Sequence, residues 1–359
     1  MLLIEGEITT TALESRSNFA KKAYGIFSSK SSAILAIGTL VTVIPLALVL
    51  WLGNTLITFV NSDNSYSREE FISPTKWLIA VLVPIAFAIH GYRKNSVNFS
   101  GAIFGVMVGF TLALGSYVFL INLIAFFYTG SQATKFRSEL KRKLEENFKP
   151  GGSRNWVQVL CNCGPAALLA IIYILDCGSG EIPVDFDSNY HASWLSMSIL
   201  GTFAAACGDT WSSELGSVIR SAQPVLITNF KPVPRGTNGG VSAFGIWFGF
   251  IGGLLIGLTH YATLIYTADT TLLERAPSQW PIIIVGGFAG LIGSIIDSCI
   301  GATFQYSGRH KITGVIVEHP GKDVIHISGR DILDNHGVNL ITNVLMALIT
   351  PKFANALFL

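Results

Sequence analysis

WPIIIVGGFAGLIGSIIDSCIGATF, Trp280 to Phe304, decides the class of this protein. The run carries a single charged residue, Asp297. A helix needs about 20 apolar residues, within a range of about 17–25, to cross a hydrocarbon layer. This run is long enough. A charge at that depth costs roughly 2.5–3.5 kcal/mol on insertion scales. Asp297 is therefore expected to meet a cation, a metal or water inside a bundle rather than lipid.

Seven further apolar runs read the same way, at roughly 33–60, 77–92, 101–128, 156–175, 192–207, 241–266 and 337–350. The runs at 77–92, 192–207 and 337–350 are short for a span. Composition agrees with a membrane class: 50% of residues are hydrophobic, 13% are charged, and mean hydropathy is +0.52. Soluble domains carry about 25% charged residues. No barrel-like alternation is seen, and only helices otherwise satisfy their backbone in lipid. The predicted fold is all-α, a polytopic integral membrane protein of about seven to eight transmembrane helices. A polar tail at 1–32 precedes one membrane domain at 33–359. That tail lacks the basic-then-apolar order of a signal peptide, and its acids do not suit a transit peptide. The net charge of +2 gives no general attraction to nucleic acid.

Eight single spans would put the loops 61–76, 129–155, 208–240 and 305–336 on one side. Those loops hold sixteen Lys and Arg, against eight for the other segments outside the spans. The richer side is expected to be cytosolic. Within it, KFRSELKRKLEE (135–146) reads as a basic amphipathic surface helix, with Lys135 nearest the membrane. Glycines at Gly101, Gly105 and Gly109, and at Gly245, Gly249, Gly253 and Gly257, place small residues on single helix faces, where helices pack closely. The five cysteines read as small buried thiols, with no disulfide framework implied.

The chemistry concentrates between two spans. GDTWSSELG (208–216) sets Asp209 and Ser213 on one helix face and Thr210 and Glu214 on the next. Carboxylates and hydroxyls are the oxygen ligands Mg²⁺ takes, with substrate phosphates completing its shell. Asp209, Glu214 and Asp297 are the expected metal ligands. VPRGTNGGVS (233–242) follows, and its glycines allow backbone amides to converge on an oxyanion ahead of a helix N-terminus. Gly236, Thr237, Asn238, Gly239, Gly240 and Ser242 are the expected phosphate-binding residues, with Arg235 and Lys135 neutralising charge. A ring of polar side chains completes the candidate site: Gln158, Asn162, Thr210, Ser213, Ser298, Gln305, Asn339 and Asn343. A transporter using Asp209 and Asp297 as coupling sites is the competing class.

NWVQVLCN (155–162), GDTWSSELG, VPRGTNGGVS, GSIIDSCIGATFQ (293–305) and DNHGVNLITN (334–343) together resemble the transmembrane protein 19 family, which includes the plant phytyl phosphate kinases. The resemblance covers about 74–350 and implies a membrane kinase. It would convert an isoprenoid monophosphate (farnesyl, geranylgeranyl or phytyl phosphate) to the diphosphate with a nucleoside triphosphate, CTP in the plant members. IPVDF (182–186) and APSQWPI (276–282) are closer to the animal members, and the expected lack of plastid targeting favours farnesyl or geranylgeranyl phosphate at the endoplasmic reticulum.

Overall fold

The computed structural model describes residues 52–53, 72–136, 152–216 and 223–358, and the statements below concern these. Most of the apolar run at 33–60 and most of the basic segment 135–146 lie outside them. The protein is mostly helical. Short polar residues start the helices, each accepting a backbone N–H at an N-terminus. Ser73 caps α1 (Pro74–Arg93), Asn98 caps α2 (Phe99–Gly115), Ser116 caps α3 (Tyr117–Lys135) and Asn155 caps α4 (Trp156–Cys177). The long α5 (Tyr190–Gly216) follows. Ser242 caps α6 (Ala243–Thr267), and Asp269 caps the short α7 (Thr270–Arg275). The chain continues through α8 (Pro281–Phe304) to α9 (Asn335–Phe358). Among the described residues, α1, α4, α6, α8 and α9 are long and apolar enough to cross a membrane, and α2 is a shorter apolar helix.

The structure corrects the sequence reading at two places. The run 101–128 is two helices. Ser116 is extended (φ −157°, ψ 145°), closing α2 and opening α3. The chain reverses there, because apolar periodicity gives no warning of a break that one capping serine makes. The second correction concerns the polar connections, which are not wholly helical. Val225–Leu226 (β1) pairs antiparallel with Gly240–Val241 (β2). Ser307–His310 (β3) lies between Ile316–Val317 (β4) and Val324–Ser328 (β5), antiparallel to both.

The reversal at Ser116 sorts the ends of the bundle. At one end, Asn98 N–H donates to Arg154 O (2.9 Å), Arg154 N–H to Ser96 O (3.1 Å) and Lys135 Nζ to Lys94 O (3.0 Å). At the far end, Glu181 Oε1 accepts from Tyr117 N–H (2.8 Å), Ser116 Oγ (3.3 Å) and Lys76 Nζ (3.5 Å). Segment 93–100 therefore sits with 129–155, 208–240 and 305–336, and Lys76 sits opposite. The four connections at the first end still hold sixteen Lys and Arg, while 176–191 at the far end holds none.

The core is α5. Every residue from Leu195 to Gly208 is buried. A helix enclosed on all sides must satisfy its polar groups internally. Ser198 and Thr202 donate to their own helix. His260 of α6 ties three helices together: Asn122 Nδ2 of α3 donates to Nδ1 (2.9 Å), which leaves the ring proton on Nε2, facing Ser196 Oγ (3.3 Å) of α5. Backbone meets backbone between α6 and α8. A Cβ on Gly290 would lie 2.5 Å from Gly249 O, and one on Gly286 would lie 2.6 Å from the Gly257 Cα. The second glycine series packs as expected. The first does so at Gly101 and Gly109, but a Cβ on Gly105 would meet nothing within 4 Å.

These two environments predict opposite effects of one substitution. Gly253→Ala places a methyl group against Gly286 O and should cost about 1–3 kcal/mol by overpacking. Gly105→Ala has open space and should be neutral or gain up to about 1 kcal/mol in helix propensity. Thermal unfolding of both variants in detergent checks this. A Gly253→Ala protein as stable as Gly105→Ala would show that the α6–α8 seam is looser than described.

Candidate active site

The glycine contacts that close the bundle also place the acids. Gly208 ends the buried stretch of α5, and a Cβ there would lie 2.6 Å from Gly290 O and 2.8 Å from Gly249 O. The next residue, Asp209, is half-buried. Asp297 lies four residues beyond Gly293, whose added Cβ would sit 2.5 Å from Ala205 Cβ. It thus continues the α8 face that meets α5. Asp209 and Asp297 are close enough to interact through their charges. Thr342 Oγ1 of α9 donates to Asp297 Oδ2 (3.4 Å), and the adjacent Asn343 Nδ2 donates to Cys161 O (3.1 Å) and Asn162 O (3.5 Å) of α4. Four helices converge at this point. Among the described residues, neither Asp209 nor Asp297 forms an ion pair with Lys, Arg or His.

Glu214 lies further along α5. Five residues along a helix turn the side chain about 140° from Asp209. Glu214 shares the field of Arg154 as well as that of Asp209. Among the described residues, no group of three or more His, Cys, Asp or Glu side chains is placed to hold a metal. The three acids are therefore not a preformed metal cluster.

Arg154 is the residue the sequence reading missed. It is only 8% exposed. Nη1 donates to Ser131 Oγ (3.0 Å), and the guanidinium lies over the Phe127 ring at 5.7 Å. A Cβ on Gly130 would be 3.5 Å from Arg154 Nη2 and 3.6 Å from Thr210 Cγ2, so the cation lies beside the start of the acidic turn. Burial pulls its pKa below the usual arginine range, and Glu214 opposes that. The sequence reading gave the neutralising role to Lys135 instead. Lys135 Nζ donates to Lys94 O and Ser96 Oγ, both at 3.0 Å, and so braces the α1–α2 turn. Segment 129–155 holds seven bases, and nothing local to Arg154 singles it out among them except its place directly before the Asn155 cap.

The glycine loop is a docked turn rather than an open nest. Gly236 (φ 85°) and Gly239 (φ 76°) use the left-handed region that favours glycine. Thr237 N–H donates to Pro234 O (3.3 Å), Asn238 N–H to Ser307 Oγ (3.0 Å) and Gly240 N–H to Thr237 O (2.9 Å). Those three amides are used within the protein. Gly239 lies against Ala302 of α8, where a Cβ would collide. Ser242 Oγ accepts from Gly245 N–H (3.1 Å) as the α6 cap. Arg235 stands half-buried in this turn.

The polar ring divides in the same way. Asn343 is a tie between helices. Thr210 Oγ1 and Ser213 Oγ donate to Ala206 O (2.8 Å) and Thr210 O (3.2 Å) of their own helix, and their lone pairs remain able to accept. Ser298 is half-buried beside Asp297. Gln158 and Asn162 line a cleft that also contains Arg154. Gln305 Nε2, His336 Nδ1 and Asn339 Oδ1 are buried with no hydrogen-bond partner among the described residues. Buried polar atoms are normally paired, so these three offer bonds to water or to a bound molecule.

Comparison with known proteins sets this arrangement in a family. Residues 82–347 match the family described as integral membrane protein DUF92, and that stretch contains every motif on which the resemblance rested. Protein PGR of Arabidopsis thaliana is 40% identical over 273 residues, which are 76% of this chain and 94% of that protein. An uncharacterized membrane protein of Methanocaldococcus jannaschii is 27% identical over 274 residues, 76% of this chain and 91% of its own. Protein VTE6, chloroplastic, of Arabidopsis thaliana is 26% identical over 239 residues, 65% of this chain and 64% of that one. No solved structure matches. The chain belongs to the DUF92 family of integral membrane proteins.

Proposed function

We propose that the protein is a membrane phosphotransferase that converts an isoprenoid monophosphate to its diphosphate with a nucleoside triphosphate, CTP by resemblance. One observation carries the reading: Asp209 of α5 and Asp297 of α8 are close enough for their charges to act on each other, with no basic partner among the described residues, and the buried Arg154 lies near the adjacent Thr210. Two carboxylates at the edge of an apolar core need positive charge. Mg²⁺ suits that donor pair, because it is commonly held by one or two carboxylates together with substrate phosphates. Asp209 and Asp297 would hold it, and when bound it neutralises charge shared between donor and acceptor phosphates. The motif resemblance to a family containing phytyl phosphate kinases supports the same reading. The excess of Lys and Arg at this end of the bundle supports a cytosolic site, where nucleotides are supplied.

The residues then divide the work. Arg154 grips the acceptor monophosphate through its planar fork. Thr342 orients the Asp297 carboxylate. Glu214 keeps Arg154 charged in its buried setting. An oxygen of the acceptor phosphate attacks the terminal phosphorus of the triphosphate. The bond from that phosphorus to the bridging oxygen breaks, and the nucleoside diphosphate leaves with the electron pair. The acceptor oxygen is already anionic, so no strong base is required. Catalysis is positioning and stabilisation of spreading negative charge. The turn 234–240 acts by shape, holding β2 and the α8 C-terminus together, with the Gly236 and Gly239 amides, Arg235 and Gln305 directed to the nucleotide.

Two predictions test this. Asp209→Asn and Asp297→Asn should each lower kcat by at least about 10²-fold, with unchanged thermal stability. Purified protein assayed with farnesyl and geranylgeranyl phosphate and each nucleoside triphosphate reads this directly. Near-normal turnover in either well-folded variant removes that carboxylate from the mechanism.

Arg154→Lys should raise KM for the lipid phosphate about tenfold or more, while KM for the nucleotide moves less than about twofold, because a point charge does not reproduce a bidentate grip. Lys135→Met should lower the melting temperature and leave both KM values near wild type. The reverse pattern would return the phosphate-gripping role to Lys135.

A further inference from the structure

An open cleft of about 70 Å³ lies between α1, α2, α3 and α4. That is smaller than the range of about 300–1,000 Å³ usual for enclosed small-molecule sites, so only part of a ligand would lie within it. Its walls are almost wholly apolar, with Pro84, Phe87, Leu123, Ile124 and Phe127 among them. The polar groups are few: Arg154, Gln158 and Asn162. Arg154 belongs to the basic end, where its backbone pairs with Ser96 and Asn98 and its guanidinium adjoins Thr210. The cleft thus has one cationic head and an oily body. That asymmetry matches an amphiphile with an anionic head and a hydrocarbon tail.

The wall contributed by α2 shows where room has been left. Gly101 packs against the Arg154 backbone and has no space for a side chain. Gly109 packs against Pro84, with a Cβ falling 2.8 Å from Pro84 Cβ. Gly105, between them on the same face, lines the cleft and meets nothing within 4 Å. It lies about 6 Å along the helix from Gly101. Packing explains its two neighbours but not Gly105.

We infer that this cleft is the tail-binding subsite for the isoprenoid chain, entered with the phosphate at Arg154, and that Gly105 keeps open the passage along which the chain lies. The inference rests on the prenyl-phosphate reading above and adds the place of the tail and the residue that limits its length. A bulky side chain at 105 fills the lumen without displacing a packed neighbour. Short tails then still fit and long ones do not.

The test uses the full-length protein in detergent. A farnesyl monophosphate carrying a photoreactive group at the tail end is irradiated with wild type, and labelled peptides are mapped. Labelling within α2 and α3 near Gly105 and Leu123 is expected, competed by geranylgeranyl phosphate but not by inorganic phosphate or phosphatidic acid. Gly105→Phe should lose the labelling and raise KM for geranylgeranyl phosphate at least about tenfold, with dimethylallyl phosphate changed less than about twofold. If Gly105→Phe does not fold, Leu123→Trp fills the same lumen from α3, and wild-type labelling stands alone. Equal competition by phosphatidic acid makes the cleft a general lipid site, and labels elsewhere empty it of this role. Turnover in wild type with no chain-length change in either variant overturns the tail site and leaves the kinase reading intact. Specific labelling without turnover on any prenyl phosphate does the opposite.

Discussion

The close approach of backbones around Gly208, Gly249 and Gly290 is the constraint on which the rest depends. A Cβ at any of these glycines would lie within 3.4 Å of a neighbouring helix. Without side chains in the seam, α5, α6 and α8 can draw together until α5 is enclosed. Enclosure has a chemical result. The residue following Gly208 is Asp209, and the face carrying Gly290 and Gly293 continues to Asp297. Small residues therefore bring two carboxylates to one place at the margin of the apolar core. In lipid, dispersion and shape do this packing, since the hydrophobic effect gives no advantage to one helix neighbour over another.

The parts legible in the sequence were those with strong local signals. Long apolar runs gave most of the helices, because length and hydropathy are properties of the segment itself. Asp297 stood out because a charge in such a run is costly. The glycine series read correctly where spacing alone decides packing. The hairpin at Ser116 was hidden, since apolar residues continue on both sides and its tip is completed by Glu181, distant in sequence. Arg154 was one of seven bases in 129–155. Its inward turn is decided by Ser131 and Phe127 on another helix, and no spacing rule reports that. Glu214 was read with Asp209 and Asp297 as a metal ligand; it lies five residues beyond Asp209, about 140° around the helix. The glycine loop had the composition of an anion nest, yet the amides of Thr237, Asn238 and Gly240 turn to Pro234, Ser307 and Thr237. Glycine permits a conformation without choosing the acceptor.

The two ends of the bundle differ in their electrostatics. The far end is pinned by Lys76 and Glu181, both little exposed, with Lys76 also placed over the Tyr117 ring at 5.1 Å. That pair satisfies itself and joins α1, the α2–α3 turn and the segment after α4. The basic end has the opposite character. Asp209 and Asp297 have no Lys, Arg or His partner among the described residues, and several polar atoms near them are unpaired. The Lys76–Glu181 pair is spent on holding helices together, whereas Asp209 and Asp297 have no such ion pair among the described residues.

The single-residue link at Ser116 has a consequence for how the chain is made. A turn that short leaves no loop between α2 and α3, so the two helices are placed as one paired unit. The amide of Tyr117 at the tip takes its acceptor from Glu181, which is synthesised more than sixty residues later. Until α4 has crossed and delivered that carboxylate, the tip must keep its polar groups in water or in the headgroup layer. Biogenesis of this half of the protein is thus ordered: the hairpin first, and its closure only when α4 arrives.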